Sequence, residues 1–354
     1  MEKRHLDLNG RTILVTGSPG FIGAALVQRL LSQLNAGAVI SLDSMNDYYE
    51  VSLKEWRLRQ IEKAAADSTA THRFLLGNLA DRVFVEHVFE KYRPSVVVNL
   101  AAQAGVRYSI DHPDVYMESN VTGFFNLLEA CRQHPVEHLV YASSSSVYGG
   151  NKKVPFSTHD QVDCPVSLYA ATKKSDELLA HCYSSLYGIP STGLRFFTVY
   201  GPAGRPDMFY YSATRKLVAG ENIQLYNYGN CQRDFTYIDD IVEGIYRVMQ
   251  GAPEPGSNPG TPAPYAVYNI GGGNPVNLLE FVDTLQDALT DAGLLPPDYD
   301  FAAHREYVAM QPGDVPVTYA DSTELERDYG CTPCTGIREG LQSFVCWYRE
   351  YYQN

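Results

Sequence analysis

An α/β fold is predicted, built on a doubly wound parallel sheet with a smaller C-terminal α/β lobe. Three observations predict it. Short β-branched runs alternate with stretches of helical periodicity through the first 200 residues; a glycine-rich turn sits between the first such strand and the first such helix; and from about residue 201 the texture changes to Pro, Gly, Tyr and Asn with shorter elements. At 354 residues the chain exceeds one typical unit. Residues 1–200 are therefore assigned to a first domain and 201–354 to a second lobe, with 234–252 and 266–271 able to return to the first.

The strands expected in order are 11–16, 38–43, 73–76, 95–100 and 138–142. The run Ser95-Val-Val-Val-Asn-Leu100 is apolar on both faces of the pleat, which suits a strand covered by helices on each side. Residues 239–250 read as a helix and 266–270 as a strand. Residues 251–264 read as a flexible surface loop from their Pro and Gly content.

Composition narrows the function classes. An apolar fraction of 45% and a charged fraction of 19% are ordinary for a globular protein, and no run approaches the ~18 apolar residues of a membrane span. A net charge of −13 argues against general binding to nucleic acid or anionic membranes. The N-terminus lacks the apolar core of a signal peptide, so a cytoplasmic location is expected. Seven scattered cysteines argue against a disulfide framework, and Cys331-x-x-Cys334, with no second pair or nearby His, reads as two incidental thiols. No metal site is expected.

After the first strand comes Gly17-Ser-Pro-Gly20-Phe21-Ile22-Gly23, and then an apolar-periodic helix to about Leu34. Strand before and helix after make this a Rossmann dinucleotide turn: the glycines allow a tight bend and close backbone approach to a pyrophosphate, and the helix N-terminus supplies N–H donors. Asp43 ends the second strand, 26 residues after Gly17. A carboxylate there accepts from the ribose hydroxyls and repels a 2′-phosphate, so NAD is favoured over NADP.

Tyr169-Ala-Ala-Thr-Lys173 puts a phenol and an ammonium on one helix face, where the cation stabilises the phenolate as a general base. In a chain of 26 tyrosines that spacing alone is weak; it gains weight from the serine run Ser143-Ser144-Ser145-Ser146 at the end of the fifth strand, where open α/β sheets bind ligands.

The order of Gly17-x-x-Gly20-x-x-Gly23, Asp43, Leu100-Ala101-Ala102-Gln103, Ser143-Ser-Ser-Ser-Val-Tyr148, Tyr169-x-x-x-Lys173 and Arg233-Asp-Phe-Thr-Tyr-Ile-Asp-Asp240 resembles extended short-chain dehydrogenases/reductases of the sugar-nucleotide epimerase/dehydratase group across essentially the whole chain. The segments Asn46-Asp-Tyr-Tyr-Glu-Val-Ser-Leu-Lys54, Ala102-Gln-Ala-Gly-Val-Arg-Tyr-Ser109, Leu194-Arg-Phe-Phe-Thr-Val-Tyr-Gly201, Gly204-Arg-Pro-Asp-Met208 and Met310-Gln-Pro-Gly-Asp-Val-Pro316 resemble UDP-glucuronate 4-epimerases in particular.

That resemblance implies a triad of Ser144, Tyr169 and Lys173. It places Asn46, Asn78, Leu79, Leu100, Ala101, Ala102, Gln103 and Asn120 on the NAD side. Arg107, Ser145, Ser146, Thr198, Arg205, Arg233 and Asp314 fall on the UDP-sugar side. The implied reaction oxidises C4 to a ketone with NAD, turns the sugar about its diphosphate and reduces the opposite face. Thr198, Ser145, Ser146 and Arg205 are the candidates for holding a C6 carboxylate out of line with the ketone, so that CO₂ is not lost. Arg233 is the candidate for the diphosphate, against the alternative of an ordinary ion pair with Asp234. Ala203 stands where these relatives carry Trp, which implies a wider sugar pocket. Other readings are UDP-glucuronate decarboxylation, 4-epimerisation of UDP-glucose or UDP-N-acetylglucosamine, and a silent NAD-binding regulatory module; the intact triad weighs against the last. Helices near 113–131 and 167–187 resemble the family's homodimer interface.

Overall fold

The alternating first half closes into one parallel sheet. In the computed structural model, which describes residues 3–256, 261–311 and 314–353, the strands of the two larger sheets are β1 (Thr12–Thr16), β2 (Ala38–Asp43), β3 (Thr71–Leu76), β4 (Val96–Asn99), β5 (His138–Ser144), β6 (Ser191–Phe196), β7 (Thr198–Tyr200), β8 (Gln232–Tyr237), β9 (Tyr265–Ile270) and β10 (Pro275–Asn277). Seven of them form the main sheet in the order β3-β2-β1-β4-β5-β6-β9, and β10-β8-β7 form a smaller one. The principal helices are α1 (Phe21–Gln33), α2 (Val51–Ala66), α3 (Arg82–Tyr92), α4 (Gly123–Gln133), α5 (Leu168–Tyr187) and α6 (Ile238–Met249).

Strand order reverses between β1 and β4, and that switch point opens a crevice at the carboxyl ends of the strands. The crevice edges are pinned by polar contacts: the Thr16 hydroxyl donates to Asn99 Oδ1 at 2.6 Å and accepts from the Ala101 N–H at 3.2 Å. β4 is buried along its whole length, as its apolar run predicts.

Of the late segments, β9 completes the main sheet beside β6, and α6 packs on α1, where Arg29 meets Glu243 at 2.8 Å. The Pro/Gly-rich stretch differs from expectation at its start: Gly251–Pro253 is a buried strand paired antiparallel with Lys3–His5. Composition misleads there because pairing and burial of Ala252 override loop-forming tendency. Residues 257–260 of that stretch lie outside the described residues. The helix expected near 113–131 is interrupted by a π-helical turn, Met117–Thr122, ahead of α4.

Beneath the serine run lies a buried ion pair. Glu177 on α5 accepts from Arg195 of β6 at 2.8 and 2.9 Å, from the Ser143 hydroxyl at 2.7 Å and from Lys174 at 3.2 Å. Burial pushes the Glu177 carboxyl up, but the hydrogen bonds and charge of Arg195, with Ser143 and Lys174, outweigh it and hold it below the usual range. Glu177→Ala would strand a buried guanidinium, so it is expected to cost about 3–5 kcal/mol in urea unfolding; a loss below about 1 kcal/mol would show that the pair does not hold α5 to the sheet.

Candidate active site

One cavity of about 910 Å³ runs from the glycine turn to the C-terminal lobe. At its head the chain approaches itself too closely for any side chain but hydrogen. A Cβ at Gly23 would stand 2.1 Å from the Gly17 carbonyl oxygen, and one at Gly17, where φ is +71°, would stand 2.7 Å from the Ala101 nitrogen. The N-cap of α1, Gly20, brings no side chain to its N–H groups, and no acidic residue lies in the first turn. This is a cradle shaped for a diphosphate.

Asp43 ends β2 on the same wall. Its Oδ1 accepts from the Met45 N–H at 2.6 Å, and burial pushes its carboxyl up against the opposing charge of Lys54, 4.0 Å away. The Lys54 ammonium also ties the Asn46 backbone oxygen (2.8 Å) and Oδ1 (2.7 Å). Asn78 lines the cavity with its amide already engaged by the Ala80 N–H and Glu118. A nicotinamide dinucleotide fits these residues: glycine cradle for the diphosphate, carboxylate for the ribose, and Leu79 and Leu100 to Gln103 along the floor.

Midway, α5 carries Tyr169 and Lys173 onto the cavity wall facing the end of β5. Lys173 is buried; its ammonium donates to the Ala142 carbonyl at 2.9 Å and to Asp176 Oδ2 at 3.2 Å, which leaves one N–H for the cleft. The Ser144 hydroxyl accepts from the Ser146 N–H at 3.1 Å and keeps its proton to share.

At the far end stand Ser145, Ser146, Thr198, Arg205, Arg233, Arg107 and Asp314. Arg205 is gripped by Asp207 through Nε (3.0 Å) and Nη2 (2.8 Å), so Nη1 is the edge without a partner among the described residues. Arg107 pairs with Asp314 at 2.9 Å and lies over the Tyr226 ring. Of the segment 310–316, residues 312 and 313 lie outside the described residues.

Two expectations, on Asn120 and Ala203, are corrected, and the alternative of an Arg233–Asp234 ion pair is set aside. Asn120 does not line the cavity: it lies buried in the π turn, where its amide holds the Gln103 backbone (2.8 and 3.1 Å) and the Thr172 hydroxyl (3.0 Å). Arg233 is not paired with Asp234, because adjacent strand residues face opposite ways. Arg233 donates to the Gln232 and Pro316 carbonyls, while Asp234 is buried and accepts from the N–H groups of Gly272, Gly273 and Ala320. Ala203 does not open the sugar pocket; it lies behind the cavity wall, packed on the core. Sequence reasoning missed Lys54 and Arg57, two cations on the buried face of α2. Their signal is charge at the positions, three apart, that should carry apolar side chains.

Fold and site define a dinucleotide-binding α/β protein whose cavity extends from the glycine cradle to a cluster of serine, threonine and arginine side chains. The sequence profile of the NAD dependent epimerase/dehydratase family matches residues 13–271. Protein CapI of Staphylococcus aureus is 50% identical over 352 residues, covering 96% of this chain and 99% of that one. A probable UDP-glucuronate 4-epimerase of Rhizobium meliloti is 40% identical over 349 residues, covering 96% and 97%. Among solved structures, a UDP-glucuronic acid 4-epimerase from Bacillus cereus, in complex with UDP-glucuronic acid and NAD, aligns with a TM-score of 0.81 at 28% identity, over 96% of this chain and 100% of that one. The chain belongs to the NAD dependent epimerase/dehydratase family, and its cofactor is NAD.

Asp176, beside Lys173, provides a pH test. Burial pushes its carboxyl up to about 7, against the opposing charge and hydrogen bond of Lys173, with Glu177 adding to the rise and Tyr141 of β5 facing it; its Oδ1 has no partner among the described residues. An acid whose folded pKa is raised binds its proton more tightly in the folded state, so its ionisation costs stability as pH climbs from about 4 to about 7. Asp176→Asn should therefore melt with wild type near pH 4 and several degrees above it at pH 8; a gap that does not grow with pH would refute this.

Proposed function

We propose that this NAD-dependent UDP-sugar 4-epimerase interconverts UDP-glucuronate and UDP-galacturonate, with residues 1–200 forming the cofactor half and 201–354 the substrate lobe. The observation that carries the reading is a cation, Arg205, with a free donor edge on the same cavity wall as hydroxyl groups from Ser145, Ser146 and Thr198, beyond Tyr169. That set suits a sugar carboxylate, whose charge a guanidinium and hydroxyl donors recognise together. The Rhizobium meliloti relative and the Bacillus cereus structure support the same substrate.

Bound NAD supplies the reversible two-electron oxidation at C4. Tyr169 takes the C4 hydroxyl proton and later returns it, and the Ser144 hydroxyl shares it. Lys173, anchored by Ala142 and Asp176, aims its remaining N–H into the cleft and stabilises the phenolate. Arg233, free of its neighbour's carboxylate, offers a donor fork to the diphosphate about which the 4-keto sugar turns. A 4-keto glucuronate is a β-keto acid, so the C6 carboxylate must be kept out of line with the ketone. Arg205, Thr198, Ser145 and Ser146 hold it there.

Purified protein incubated with UDP-glucuronate and followed by NMR of the anomeric protons is expected to yield UDP-galacturonate without CO₂. A UDP-pentose product would make the protein a decarboxylase instead. Tyr169→Phe should retain bound NAD and lose at least 10³-fold in turnover, of the order that a positioned acid–base group supplies; unchanged turnover would remove Tyr169 from the mechanism.

We further infer a homodimer built on α5 and on residues 113–131, which run through α4, and a cytoplasmic enzyme. Met117, Phe125, Leu178, Leu186 and Tyr187 stand exposed on these neighbouring helices, with Leu178 and Leu186 more than 60% exposed. Contiguous exposed apolar side chains on a helix pair suit an isologous interface. Leu178→Glu together with Leu186→Glu should halve the mass seen by sedimentation equilibrium, and a monomeric wild type would refute the interface.

A further inference from the structure

Arg57 on α2 is 1% exposed, and its guanidinium is held entirely by neutral oxygens. Nε and Nη2 donate to the Ala203 carbonyl at 2.9 and 2.7 Å, Nη2 to the Gly204 carbonyl at 2.7 Å, and Nη1 to the Pro19 carbonyl at 3.1 Å and the Tyr49 hydroxyl at 2.7 Å. Among the described residues no carboxylate lies within 4 Å of it. A buried cation without a counter-ion is costly, and an aliphatic side chain would fill the same volume without that cost. What an aliphatic chain would not do is join the two loops those carbonyls belong to.

Pro19 sits inside the glycine turn, between Gly17 and Gly20. Ala203 and Gly204 lead directly into Arg205. Ala203 adopts φ +53°, a left-handed conformation that a β-carbon disfavours, and its carbonyl takes two of Arg57's donors. The turn that presents Arg205 is thus held in an unfavourable conformation by the side chain that also grips the dinucleotide loop. We propose that Arg57 is a positioning residue that joins the two subsites, fixing the cofactor's diphosphate loop and the carboxylate-reading Arg205 in one register. The inference rests on the reading of Arg205 as the carboxylate ligand and adds the element that sets it.

Arg57→Lys keeps the charge but cannot reach three carbonyls in two loops with a single ammonium. Two readouts follow on the purified variant: NAD retained after gel filtration, and calorimetric Kd values for UDP-glucuronate and UDP-glucose. A joining role predicts lower NAD occupancy than wild type together with about tenfold weaker UDP-glucuronate binding and less than twofold change for UDP-glucose. A merely structural role lowers Tm and weakens both sugars alike; that result, or unchanged NAD occupancy, overturns the proposal. Should Arg57→Lys fail to fold, Tyr49→Phe removes one acceptor of the fork and is expected to shift the same ratio about twofold; no shift overturns it. If wild type itself binds both sugars equally, the carboxylate role of Arg205 falls, and NAD occupancy in the two variants alone decides the role of Arg57.

Discussion

The contact between Gly23 and the Gly17 carbonyl sets the rest of the molecule. With 2.1 Å between that oxygen and any added Cβ, α1 can lie against the end of β1 only while both positions lack side chains. This proximity aims the uncapped N-terminus of α1 into the switch-point crevice. The Thr16 hydroxyl then fixes the width of the crevice by bridging β1 to Asn99 and to the chain that leaves β4. A diphosphate site follows from helix placement and exposed N–H groups, without any basic side chain. That explains how a chain of net charge −13 can hold an anionic cofactor.

The charged side chains are spent deeper in. α5 carries Lys173, Asp176 and Glu177 on one buried face, and they divide the labour. Glu177 locks Arg195 and Ser143 and so orders the strand beneath the serine run, while Asp176 and the Ala142 carbonyl take two of the three Lys173 donors. A lysine so tethered loses little further freedom when it acts, which is the structural meaning of preorganisation. The half-satisfied Asp176, with one oxygen unpartnered, marks where stability is given up to hold that geometry.

How much of this was legible in the sequence depends on periodicity and on range. The first five strands, the glycine turn, Asp43 and the Tyr169/Lys173 face could be read because each is a local pattern: alternation, a strand–turn–helix junction, or a spacing of four. The strand Ser191–Phe196 carries a Gly and an Arg, and the burial of Arg195 depends on its finding Glu177 on α5, which no local window contains. The start of the 251–264 stretch failed for the same reason, since its partner is at residues 3–5. Asn120 was expected in the cleft and instead braces Gln103 from behind, because an unforeseen π turn rotates it away from the cavity. Arg233 and Asp234, adjacent in sequence, part company by the alternation of a strand.

Lys54 and Arg57 show what kind of signal remains. On α2 the buried positions are Leu53, Lys54, Arg57 and Ile61, so two cations share the helix face that packs inward with two aliphatic residues. On a surface helix such a pattern is unremarked; on the inward face it demands compensation that only long-range partners supply. Both partners are loops of the site: Asn46 and Asp43 for Lys54, and residues 19, 203 and 204 for Arg57. Arg57 therefore ties the glycine turn to the turn at residues 203–204 through buried contacts, whereas at the cleft mouth Arg107 and Asp314 meet with Arg107 half exposed and screened by water. The coupling we propose between these two loops runs through the buried helix rather than across the opening of the cavity.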